Sequence, residues 1–127
     1  MWIITTAGFL SVVQNLYSKG PDDALLVRGR VRADLERFAN FAAQRGARPA
    51  VVESPDADYG FRLTTSRGNL SAFLAAQVDA LDYPNFKSEV AKADPQRAHV
   101  YMGVWSALGK LRGVGNRTAP NLVSLFK

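Results

Sequence analysis

The period of apolar and polar positions changes several times along this chain, and each change marks an element. Two β-rich runs open it, Trp2 to Thr6 and Phe9 to Gln14, separated by the tight-turn pair Ala7-Gly8. Lys19 to Asp23 is rich in Gly, Pro and Asp and reads as a loop. From Leu25 to Val31 the residues alternate. Val27, Gly29 and Val31 fall on one face of a strand, Arg28 and Arg30 on the other, and Arg32 continues the arginine phase. The period then becomes helical. Leu35, Phe38, Ala39 and Ala42 form the apolar stripe of a helix over about Ala33 to Arg45, with Phe41 at its margin. Asp34 and Glu36 in its first turn and Arg45 in its last suit the helix dipole, and Gly46 stands at the C-cap.

Pro49 to Glu53 predicts a short strand, Ser54 to Asp58 a loop, and Tyr59 to Thr65 another strand. Alternation there puts Tyr59, Phe61 and Leu63 opposite Gly60, Arg62 and Thr64. Leu70, Phe73, Leu74, Val78 and Leu81 recur at helical spacing over roughly Asn69 to Leu81. Asp82 to Phe86 breaks that helix, and a short helical turn covers Phe86 to Lys92. Asp94-Pro95 starts a last helix that runs to about Arg112 and stops at Gly113. Its stripe is Ala98, Tyr101, Trp105, Leu108 and Leu111, with Val104 beside it. The order βββαββαα predicts an α+β domain over 1–112, a mostly antiparallel sheet of about five strands with helices on one face. A basic C-terminal tail, 113–127, docks on that domain or on a partner.

At 127 residues and 47% hydrophobic, the chain has the composition of a folded domain. Its charge is uneven. The first 94 residues hold 11 acidic and 11 basic side chains, and from Pro95 onward there is no Asp or Glu, so the net +5 sits in the last quarter. That asymmetry points to an acidic partner for the C-terminal end. The absence of cysteine excludes disulfides, thiolate metal sites and cysteine nucleophiles, and fits a cytoplasmic protein. The apolar N-terminus lacks the basic region of a secretory signal, and no uninterrupted apolar run approaches the length of a membrane span.

Several segments together resemble a family of small uncharacterised proteins of actinobacteria and their phages. They are Met1-Trp2-Ile3-Ile4-Thr5 with Gly8-Phe9-Leu10-Ser11-Val12-Val13, the strand Leu25 to Arg32, Asp58-Tyr59, Arg62, Asp82-Tyr83-Pro84-Asn85-Phe86-Lys87, and Tyr101, Val104 and Trp105. The resemblance covers residues 1–111 and leaves out the tail from Gly113. It implies a bacterial or phage setting and an intracellular protein, and it brings no activity, cofactor or catalytic residue.

Three constellations carry chemistry. Arg28 and Arg30, joined by Arg62, put guanidinium groups on one sheet face, where they bind phosphates or form a solvated polar surface. Lys110, Arg112, Arg117 and Lys127 extend a sparse basic surface toward the C-terminus that suits an acidic partner, including nucleic acid. Glu53, Asp56 and Asp58 have the residue type for a divalent cation, although turn chemistry also accounts for them. His99 is the only histidine and forms no two-histidine site. The aromatic set Tyr83, Phe86, Tyr101 and Trp105 packs as core or interface, and with Leu122 and Phe126 offers a surface for a protein partner or a second copy. No catalytic motif, cofactor motif, metal site or membrane element is recognised. The expected function is therefore a cytoplasmic protein-interaction or regulatory module, phage-linked by resemblance. The alternative is a nucleic-acid-binding protein that uses the arginine face and tail.

Overall fold

A computed structural model describes residues 1–16 and 24–114. The chain divides into two compact units, Met1–Asp82 and a second that begins at Tyr83. The first is an α+β sheet unit. Its strands are β1 (Trp2–Thr5), β2 (Gly8–Gln14), β3 (Ala24–Gly29), β4 (Val52–Glu53) and β5 (Phe61–Ser66). They form one antiparallel sheet in the order β1-β2-β3-β5-β4. Helix α1 (Arg32–Ala43) lies between β3 and β4 in sequence, and α2 (Arg67–Asp79) follows β5 directly.

Alternation sorts the sheet into two faces. Ile3, Leu10, Val12, Leu25, Val27 and Leu63 share the face that meets Leu35, Phe38, Ala39 and Ala42 of α1 and Leu70 and Phe73 of α2. The helical stripe predicted for α1 is therefore the buried one, and Phe41 sits half-buried beside it. α2 is buried through Leu70 and Phe73, with Leu74 partly buried against the same core, whereas Val78 and Leu81 are exposed. Ser66 caps α2 by accepting the Asn69 N–H at 3.1 Å, a contact that sets where strand becomes helix.

The hairpin turn is locked from a distance. Thr5 pairs with Gly8 across the turn, and Gly8 has φ +131°, a conformation that favours glycine. Asp34, 2% exposed at the start of α1, accepts the Phe9 N–H at 3.0 Å. Its other carboxylate oxygen accepts from Arg37 at 2.9 Å, and Arg37 also donates to the Ala7 carbonyl at 2.9 Å. A Cβ on Gly8 would overlap the Asp34 carboxylate.

The second unit contains α3 (Phe86–Ala93), α4 (Pro95–Leu108) and the short α5 (Leu111–Val114). Asn85 caps α3 through the Ser88 N–H at 2.9 Å, and Asp94 caps α4 through the Arg97 N–H at 3.0 Å. Among the boundaries that differ from expectation, three change the outline of the elements. The strand expected over Pro49 to Glu53 contracts to Val52–Glu53, because only those residues find partners on β5. Arg45 lies beyond the end of α1 rather than in its last turn. The last helix breaks at Gly109 instead of Gly113, and the chain resumes helical geometry at Leu111.

Candidate functional site

The face opposite the core carries the arginines. Register places Trp2, Ser11, Arg28, Arg62 and Val52 in one row across all five strands, β1 through β4. Arg28 and Arg62 thus stand directly opposite each other on neighbouring strands. Like charges so placed are destabilising unless something offsets them. The buried Ser11 hydroxyl accepts from Arg28 at 2.9 Å, and the Tyr59 carbonyl accepts from Arg62 at 3.3 Å. The Tyr59 ring lies against the guanidinium groups of both Arg28 and Arg30, at 4.7 and 4.8 Å from its centroid. Arg30 also pairs with Asp58 at 3.0 Å.

These contacts leave a deficit. The Nε groups of Arg28 and Arg62 are buried and have no hydrogen-bond partner, the only such side-chain atoms among the described residues. A buried donor without an acceptor costs about 1–3 kcal/mol. Both Nε groups are closed to solvent, so a ligand on this face meets the terminal guanidinium nitrogens instead.

Aromatic rings extend the surface toward β1. Trp2 meets Phe9 edge-on at 6.0 Å, and Phe9 meets Tyr59 at 6.3 Å. Trp2 is 72% exposed. Arg28 and Arg62 share this face, as the alternation implied; Arg30 lies past the end of β3 and joins them through the Tyr59 ring. Two expectations need correction. Arg32 leaves the row because α1 begins there; its guanidinium lies 5.8 Å from the Phe61 ring and pairs with Glu36 and Glu53. Tyr59 was grouped with Phe61 and Leu63, but it precedes β5, so strand alternation does not bind it and its ring turns to the arginines. Trp2 and Phe9 were legible as part of this face only once the hairpin register was known, since pairing with β2 gives them the phase of Ser11 and Arg28.

No protein-family model matches the chain, and neither a curated protein nor a solved structure does. The site is accordingly read from its own chemistry.

Glu53 and Asp58 are each engaged by arginines, and no group of three or more His, Asp or Glu side chains among the described residues is arranged to hold a metal ion. His99 is exposed on α4. Among the described residues no helix is long and apolar enough to cross a membrane.

In the second unit the aromatic set divides. Phe86 stacks on Tyr101 at 5.9 Å and Tyr83 meets Phe86 at 6.4 Å. Tyr101 is buried, and its hydroxyl accepts from Arg97 at 3.0 Å. That burial corrects its expected role as an interface residue: α3 already covers it. Trp105, on the same stripe, is 63% exposed, with the Lys87 ammonium over its ring at 4.1 Å. Trp105, Leu108 and Arg112 line a shallow depression. Lys110 and Arg112 are exposed past the end of α4. Arg117, Leu122, Phe126 and Lys127, also named as candidates, lie outside the described residues.

Proposed function

We propose that this chain is a protein-interaction module that acts by binding rather than catalysis, and that the contact element is the C-terminal half of α4. The observation that carries this reading is the length mismatch between two antiparallel helices. At 1.5 Å per residue, the eight residues of α3 reach about 12 Å and the fourteen of α4 about 21 Å. Beyond Tyr101 the apolar stripe therefore outruns its cover. Trp105 and Leu108 are 63% and 56% exposed near the end of α4, and Leu111, past the break at Gly109, is 57% exposed. Stripes of this kind mark interaction surfaces.

The occupant proposed is a second copy of the chain. The start of α4 carries Asp94, and its end is followed by Lys110 and Arg112. Asp94 is already paired with Arg97, so the contact is apolar: pairing of two copies about a twofold axis brings the two exposed stripes together. A stripe of three large side chains supports a weak, concentration-dependent dimer rather than an obligate one. The resemblance and the cysteine-free composition support a cytoplasmic setting, and the phage link rests on the resemblance alone.

Light scattering coupled to size exclusion over a concentration series tests the proposal. The wild-type chain is expected to shift from monomer toward dimer as concentration rises, in low and high salt alike. Trp105→Glu is expected to hold it monomeric without changing its circular dichroism. A monomer at every concentration, or a dimer indifferent to Trp105→Glu, would remove α4 as the contact.

A further inference from the structure

We propose that the open sheet face is a second binding site, for single-stranded nucleic acid, in which phosphates sit on the Arg28–Arg62 pair and unpaired bases stack on Trp2 and Phe9. The proposal rests on a different unit from the α4 contact and stands or falls separately.

Three observations converge on this face. Arg28 and Arg62 are juxtaposed like charges in adjacent strands, both half-buried. An oxyanion between them removes the repulsion and accepts from their terminal guanidinium nitrogens, in charge-assisted hydrogen bonds about twice as strong as neutral ones. Charge complementarity therefore selects an anionic ligand. The second observation is the run of rings from Tyr59 through Phe9 to Trp2, which ends in a tryptophan left 72% exposed on an open sheet. A carboxylate or a free phosphate uses the arginines and leaves these rings uncovered. A ligand that carries both phosphate and flat aromatic groups uses both. The third is spacing. With strands about 4.8 Å apart, Trp2 stands roughly 10 Å from Arg28 and 14 Å from Arg62 along the row. That span exceeds one nucleotide and suits a short run of extended chain.

The ligand is single-stranded because a broad sheet does not enter a groove and because paired bases offer no free faces to Trp2 and Phe9. Asp58 is the carboxylate that competes for this face, and its pair with Arg30 is exposed on both sides. Exposed pairs contribute about 0–1 kcal/mol, so a phosphate exchanges for Asp58 at little cost. Nothing on the face reads base edges, so the expected binding is independent of sequence.

Fluorescence anisotropy tests this with labelled single-stranded DNA and RNA of mixed sequence, about ten nucleotides long, within the usual range of site sizes. Two or three phosphate contacts predict affinity roughly 7- to 20-fold weaker at about 200 mM salt than at about 50 mM. Trp2→Ala, at an exposed position that leaves the fold intact, is expected to weaken binding roughly 5- to 150-fold, the range for losing one stacked base. Arg62→Lys keeps the charge and loses the planar fork, and is expected to weaken binding while circular dichroism stays unchanged. Should that variant unfold, Trp2→Ala carries the test. DNA and RNA bound alike means the backbone is read, and RNA preferred means the 2′-hydroxyl is read as well; both support the site. The proposal is overturned by no binding to either strand at low salt, by affinity unchanged in Trp2→Ala, by preference for duplex, or by displacement with inorganic phosphate at equal phosphate concentration.

Discussion

Gly8→Ala is expected to destabilise the sheet unit by roughly 2–4 kcal/mol, from two independent causes that act at one atom. The backbone at φ +131° disfavours any residue with a Cβ, and the new methyl group meets the buried Asp34 carboxylate. Relief requires Asp34 to move, and Asp34 is tied to the Phe9 N–H and to Arg37. The clamp joins the first hairpin to α1, so the damage is not confined to the turn. It also reaches the binding face, because Phe9 is the residue whose backbone Asp34 holds and whose ring touches both Trp2 and Tyr59. Urea unfolding followed by circular dichroism measures the cost. A midpoint within about 0.5 kcal/mol of the wild type, the range of an ordinary surface substitution, would show that the clamp does not hold the turn. Asp34→Asn tests the clamp without touching the turn: it keeps one acceptor oxygen and turns an NH2 donor toward either the Phe9 N–H or Arg37, at an expected cost of about 1–3 kcal/mol.

How much of this was legible in the sequence depends on the range of the interaction. Positions governed by one period were readable. Leu35, Phe38, Ala39 and Ala42 are the buried stripe of α1, and Arg28 and Arg62 share the face opposite the core. Caps made by near neighbours were readable too, since Asp94-Pro95 starts α4 by local chemistry alone. Positions governed by distant partners were not. Asp34 has the residue type and place of a dipole-balancing acid, and nothing local says that it grips a turn 25 residues earlier. Tyr59 has the phase of a strand residue, but β5 begins two residues later and leaves its ring free to cover the arginines. Trp105 fits the stripe that includes buried Tyr101, and only the shortness of α3 leaves it outside. Periodicity reports which face is apolar. It does not report how far along that face the neighbouring element reaches. Gly109 and Gly113 make the same point for a helix end, because either glycine is compatible with a stop and the chain takes the first.

Phe38→Ala is expected to be the most costly single substitution, at about 3–5 kcal/mol. Phe38 is fully buried where α1 meets both the sheet and α2. Its ring packs edge-on against Phe73 at 5.1 Å, and Phe73 in turn meets Phe41 at 5.5 Å. Truncation removes the transfer free energy of the ring and leaves a cavity whose lining loses its contacts. It also strips Phe73 of one of its two aromatic partners, so α2 loosens with α1. A unit the length of Met1–Asp82 has a total stability of roughly 4–12 kcal/mol, so the variant is marginal at best. Thermal unfolding should shift down by at least about 12 °C, at roughly 4 °C or more per kcal/mol for a domain of this size. Fluorescence of Trp2 reads this unit, and Trp105→Phe as the common background removes the chain's other tryptophan, which lies in the second unit. A shift of only a few degrees would mean that the sheet and the two helices do not share the core around Phe38. The consequence for function follows from the same packing. The helices press on the side of the sheet opposite the arginines, so the register that aligns Trp2, Ser11, Arg28 and Arg62 in one row depends on a core on the other face. Phe38→Ala should therefore weaken oligonucleotide binding in proportion to the unit it unfolds, and restore it on cooling toward the temperature of maximum stability, whereas Trp2→Ala should weaken binding at every temperature.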